Sequence, residues 1–272
     1  MLVLVSQRGS AQNFVDLDFT HNVQPNNAIY PNQSTLGPDY FNGTVLDFVN
    51  VAFVNGMAVD ARVSINLVSP GYEFVGYIPD YNQAPAGPEG DLGVYYRFNG
   101  DNANPTGGIS YTISFYESGS NFTTARTLTD FRFLIYDLDG EPGQSESIHT
   151  HVADGFTGYQ IRNGSGIQTQ AESDSLTFHS RGIGHPEDNA DGGLIAYYQN
   201  TSQVTFDMFS TSAPGLPFAN YGIFAAYDGD LSLNGGTTSG FGSFVAVPEP
   251  TTPLLIAVAA SLTMTCRRRV QG

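Results

Sequence analysis

The sequence predicts an all-β protein: a two-sheet antiparallel β-sandwich of jelly-roll type, followed by a short C-terminal transmembrane helix. Three observations predict it. Apolar and polar residues alternate with period two through the middle of the chain. Turn clusters such as "NGDNANPTGG" and "HPEDNADGG" separate these runs. Before the tail, no stretch repeats its apolar residues with a helical period, and no fixed repeat of a solenoid occurs. With 272 residues, 40% of them hydrophobic, including 19 Phe and 15 Tyr, the chain can bury a core as one large β domain or two small ones.

The strands follow in order. Phe14–Phe19 is the first candidate. "VLDFVNVAFV" and "MAVDARVSINLV" flank Asn55-Gly56, a two-residue hairpin turn, because both residues accept positive φ at low cost. In the second run Val59, Ala61, Val63, Ile65 and Leu67 alternate with polar residues. Val94–Phe98 comes next, then Ile109, Tyr111, Ile113 and Phe115 on one face. Phe131–Asp137, Ser147–Val152, Gly158–Arg162, Leu176–His179 and Leu194–Tyr198 continue the series. Val204, Phe206 and Met208 alternate again, and Tyr221–Tyr227 closes the set. The domain spans residues 13–233, and 234–247 reads as a Gly/Ser/Thr-rich linker able to add a last strand.

Charge bounds the partners. Ten basic residues, none of them lysine, face 26 acidic ones, for a net charge of -16. Such a surface repels phosphates, so nucleic acid is excluded as a partner. The only cysteine is Cys266, so the body has no disulfide.

The tail has a different composition. Pro248-Glu249-Pro250 is followed by 16 uncharged residues, Thr251 to Cys266, and then Arg267, Arg268 and Arg269. As a helix that run spans ~24 Å, short of a ~30 Å hydrocarbon core unless the arginines snorkel. The three arginines place this end on the cytoplasmic side. Motif, membrane stop and basic cluster in this order resemble the bacterial PEP-CTERM sorting signal, also catalogued as the ice-binding protein C-terminal domain; residues 248–269 carry the match. The resemblance implies an exosortase, a membrane cysteine protease-transpeptidase, as the processing partner. It implies a protein held transiently in the membrane, then released to the envelope, surface or extracellular matrix. The tail's name confers no ice binding, which needs a flat, regular Thr array. A sorted protein needs an export signal; "MLVLV" is too short for one. Residues 1–12 are therefore the remnant of a truncated signal peptide, with the frame extending upstream of Met1, or a disordered tail.

Within the body, "YDLDGEPGQSE" is the strongest candidate for chemistry. Asp137 and Asp139 lie two apart at a strand end, Gly140 permits a turn, and Glu141 and Glu146 can fold back. Four carboxylates together suit Ca²⁺, which makes calcium the candidate cofactor. The loop is not an EF-hand, since Pro142 stands where that motif needs Gly. Asp228 and Asp230 form a weaker pair, while Asp16 and Asp18 alternate on an exposed strand face. Gly143, then His149 and His151 after five residues, resembles the opening of a cupin motif but departs from it beyond that point; His179 and His185 are the candidate third ligands.

No Gly-x-Ser-x-Gly elbow occurs, and the body has no cysteine nucleophile. The reading is a non-enzymatic exported protein. The alternatives are a carbohydrate-binding module meeting extracellular polysaccharide through Tyr95, Tyr96, Tyr197 and Tyr198, and a polysaccharide hydrolase or lyase.

Overall fold

A computed structural model describes residues 13–19, 22–23, 43–67, 72–78, 92–98, 106–140, 144–180, 184–185, 190–212 and 223–247. Fifteen strands lie among them. In chain order they are β1 (Asn22–Val23), β2 (Thr44–Val54), β3 (Met57–Leu67), β4 (Tyr72–Ile78) and β5 (Leu92–Phe98). Then come β6 (Thr106–Glu117), β7 (Leu128–Tyr136), β8 (Gln144–His151), β9 (Phe156–Ile161) and β10 (Gln168–Ala171). The last are β11 (Ser175–His179), β12 (Leu194–Thr201), β13 (Gln203–Ser212), β14 (Ile223–Asp228) and β15 (Val245–Ala246). They form two antiparallel sheets, ordered β1-β2-β3-β6-β13-β8-β11-β10 and β15-β9-β12-β7-β14-β5-β4. Among the described residues no helix is long and apolar enough to cross a membrane, and the expected membrane helix lies outside them.

Alternation decides which face packs. Val59, Ala61, Val63 and Ile65 of β3 are fully buried, as are Ile109, Tyr111, Ile113 and Phe115 of β6. The facing sheet contributes Phe131, Phe133 and Ile135 of β7 with Tyr198 of β12 and Tyr227 of β14. The rings meet mostly edge to face, the arrangement their quadrupoles favour. Phe133 is the hub: its ring centroid is 5.8 Å from Phe206, 5.9 Å from Phe131, 6.2 Å from Tyr227 and 6.4 Å from both Tyr198 and Phe19.

The β7 sheet has a second apolar layer on its other face. Leu134, Tyr136, Ile195, Tyr197 and Ala226 point there and are covered by Leu231 and Phe241, with Phe14 and Leu233 beside them. Tyr197 and Tyr198 were expected as exposed platform aromatics, and the structure corrects this. Tyr198 is buried between the sheets, and Tyr197 lies under Phe14 and Phe244 at 5.5 and 5.3 Å. The side chains of Tyr95 and Tyr96 lie outside the described set.

Two further expectations change, and within residues 234–247 the chain adds the short strand β15. Phe14–Phe19 makes single bridges, Val15 to Phe131 and Leu17 to Gly229, in place of a strand. The segment fits only because residue 229 lacks a side chain; a Cβ there would stand 2.5 Å from that of Leu17. β1, β4 and β10 are additional strands. Residues 240–247 lie along the edge of β9: Asn163 N–H donates to the Gly240 carbonyl at 3.0 Å, Gly242 N–H to Ile161 at 2.9 Å and Val247 N–H to Thr157 at 3.0 Å.

Because so many rings lean on one residue, Phe133→Ala should cost about 3–5 kcal/mol. Urea denaturation followed by intrinsic fluorescence checks this; a loss below about 1 kcal/mol would show that the core collapses around the cavity.

Candidate functional site

β7 is followed by Asp137, whose φ of 61° is left-handed, a conformation that Asp tolerates better than most residues. The turn sends Leu138 into the core and leaves Asp137 and Asp139 on either side of it. Glu146, on the inward side of β8, is 4% exposed. Its Oε2 accepts the Asp139 N–H at 3.2 Å. Its backbone exchanges hydrogen bonds with Ser180, each 2.8 Å. Asp139 Oδ2 accepts the His185 N–H at 2.6 Å. The structure thus brings together three of the four expected carboxylates; Glu141 lies outside the described residues. Among the described residues no group of three or more His, Cys, Asp or Glu side chains is arranged to hold a metal ion.

Burial pushes the Glu146 carboxyl well above the ordinary glutamate range, and the charges of Asp139 and then Asp137 push it further. The Asp139 N–H opposes this only in part. A proton on Glu146 relieves the repulsion between the three groups.

Asp228 and Asp230 are occupied differently. Asp228, 0% exposed, accepts the N–H of Asp230 at 3.0 Å and of Leu233 at 2.9 Å, and Asp230 accepts that of Ser232 at 2.7 Å. The pair fixes the turn that carries Leu231 onto the second apolar layer.

The two strand histidines do share the outer face of β8, directly across from Asp207 of β13 in the case of His149. Their environments diverge. His151 Nε2 lies 2.8 Å from Asp207 Oδ2, and that bond raises its pKa. Burial lowers the pKa of His149, whose ring packs 4.6 Å from Phe209. Burial opposes ionisation of Asp207, but the bonds from His151 and Ser110 hold its carboxyl below the usual range. His185 turns instead toward Ser165, whose carbonyl lies 3.4 Å from its Nε2. Sequence spacing gave no sign of Asp207 as the partner, because it reaches β8 only through strand pairing.

Glu146 gives a pH dependence of definite sign. In the unfolded chain it titrates near an ordinary ~4.3. The folded chain keeps the proton to higher pH, so this contribution to stability is complete below that value and is lost as pH rises through the folded pKa. Wild-type chain should therefore lose stability relative to Glu146→Gln as pH rises above the ordinary glutamate range. Denaturation midpoints of the two proteins across that rise test it, and parallel curves would refute it.

No family model matches the chain, and no curated protein does. Solved structures that align with it include the N-terminal domain of the Streptococcus gordonii adhesin Sgo0707, at 14% identity and a TM-score of 0.44, covering 74% of this chain and 49% of that one. Another is the adhesin domain of PrgB from Enterococcus faecalis, at 14% identity and a TM-score of 0.41, covering 69% of this chain and 64% of that one. The chain spans 49% and 64% of the length of these two structures.

Proposed function

We propose that the chain is a non-enzymatic bacterial surface or matrix protein, exported and then sorted through its PEP-CTERM segment, with the membrane and an exosortase as transient partners. The observation that carries this reading is the path of the last described residues. The backbone bonds of residues 240–247 to β9 run up to the Val247 N–H, one residue before Pro248. A residue at 158 larger than Gly would break this path, since its Cβ would come within 2.5 Å of the Val245 carbonyl oxygen. Processing beyond Pro248 would leave every one of those bonds in place.

The polar groups singled out in the body support a binding and display role over catalysis, because they hold structure together. Asp228 fixes a turn, Asp207 holds His151, and Asp139 tethers His185. The order β6-β13-β8-β11 facing β7-β12-β9 supports a jelly-roll description of the body.

Replacing Arg267, Arg268 and Arg269 by Glu should abolish processing and surface delivery in a host that carries an exosortase. Unchanged delivery would overturn the sorting reading.

Calcium at Asp137, Asp139, Glu141 and Glu146 is the second part of the proposal, with the Glu146 proton as its competitor. Calcium binding predicts a melting midpoint several degrees higher in millimolar Ca²⁺ than in EDTA at constant ionic strength. The gain should vanish in Asp137→Asn/Asp139→Asn. Equal midpoints assign the relief of repulsion to the proton alone.

A further inference from the structure

A cleft of about 750 Å³ opens beside the hairpin of β2 and β3, within the range of ~300–1,000 Å³ usual for ligand pockets. One wall is the segment 13–19, tied down by Val15 N–H to the Asp130 carbonyl at 2.7 Å, Leu17 N–H to Gly229 at 3.2 Å and Asp18 N–H to Val51 at 2.8 Å. Leu17 and Phe19 are buried in the core. Alternation then turns Asp16 and Asp18 outward, and both line the cleft. Phe14 is fixed behind them by Arg132, whose guanidinium lies 4.5 Å from its ring.

The opposite wall is an irregularity in β2. Its register with β3 shifts between Phe48 and Ala52, and Asn50 takes a φ of 56°. Asp60, 3% exposed, holds this bulge: Oδ1 accepts the Asn50 N–H at 3.0 Å and Oδ2 the Gly119 N–H at 3.4 Å. The bulge and the Asn55-Gly56 turn bring Asn50, Phe53 and Asn55 to the rim. Phe53 is 69% exposed, the highest among the exposed large hydrophobics of the described residues.

We propose that this cleft binds a neutral oligosaccharide, with Phe53 stacking on a sugar ring while Asp16, Asp18, Asn50 and Asn55 meet its hydroxyls. A sugar presents an apolar C–H face and an edge of hydroxyls that both donate and accept. An aromatic ring matches the first; carboxylates and carboxamides together match the second. A cation would need acceptors only and would make no use of the amide donors. An anionic saccharide would meet Asp16 and Asp18 on a chain of net charge -16 that has no lysine. The proposal rests on the surface-display reading only for where the ligand is met; recognition itself is independent of sorting.

The test is an array of short linear oligosaccharides probed with the purified full-length chain in EDTA. Neutral hexose oligomers, uronate-containing oligomers and glucosamine oligomers are compared. At least one neutral oligomer should bind and the uronates should not. Phe53→Ala should weaken that binding about tenfold, and Asp16→Asn/Asp18→Asn at least as much. Phe53 is exposed, so its loss leaves the core intact; an unchanged melting midpoint verifies this. Phe244→Ala removes another exposed ring outside the cleft and should bind like wild type. No neutral ligand, a preference for uronates or glucosamine, or full binding by Phe53→Ala overturns the proposal. Each of these results is independent of the outcome of the arginine substitution, so failure of ligand binding is distinguishable from failure of sorting.

Discussion

Phe133 sits where the rings of Phe19, Phe131, Tyr198, Phe206 and Tyr227 converge, and the two sheets are joined through that convergence. No disulfide assists it. The chain's only cysteine is Cys266, outside the body, and a net charge of -16 works against compaction. Arg62 makes a bidentate pair with the buried Asp47, at 2.6 and 2.9 Å, which ties β3 to β2 beside this core. Apolar burial therefore carries much of the stability, and the largest fully buried side chains are all Tyr and Phe. Everything irregular hangs from this core. Asp228 leaves β14 and fixes the turn at 230–233, Leu17 inserts beside Gly229, and Glu146 enters from the start of β8.

Strands packed on one face only were the most legible. β3 and β6 alternate because one side meets the core and the other meets solvent. β7 and β12 are different: "FLIY" (133–136) and "LIAYY" run apolar without a break because both faces are covered. That continuity was the available sign that Tyr197 and Tyr198 would both be buried. β10 left no sign at all, since "QTQA" is exposed along its whole length and is held by pairing with β11 alone.

The acidic strand end was legible in its spacing and not in its chemistry. Asp137 and Asp139 do flank a buried leucine at the strand end, but the left-handed backbone of Asp137 sets their placement, and the period-two pleat has already ended at Tyr136. Burial of Glu146 could not be read, because it depends on Ser180 closing over the start of β8, 34 residues away. Burial changes the question from how three charges are neutralised to whether three charges exist. A surface cluster of carboxylates recruits a cation, whereas a buried one can keep a proton.

The same distinction separates this strand end from the cleft beside β2. Glu146, Asp228 and Asp60 are carboxylates turned inward, and each accepts backbone N–H groups that would otherwise be left unsatisfied. Their work is done within the chain. At the cleft the inward carboxylate is Asp60, and its effect is to hold the bulge at Asn50, which with the Asn55-Gly56 turn leaves Asn50, Phe53 and Asn55 lining the cleft. A bulge is a cost to the β2–β3 ladder, and a phenyl ring left in water forgoes its burial. A fold whose described aromatic residues lie mostly in the core, yet which exposes Phe53 beside outward-facing carboxylates and amides, is arranged there for something other than its own stability. Residues 13–19 and 50–55 are distant in sequence and contribute to the cleft only because the first segment docks on β7 and β14 while the second bends out of β2. Neither stretch carries a recognisable motif, so the site emerges only when the two are seen side by side.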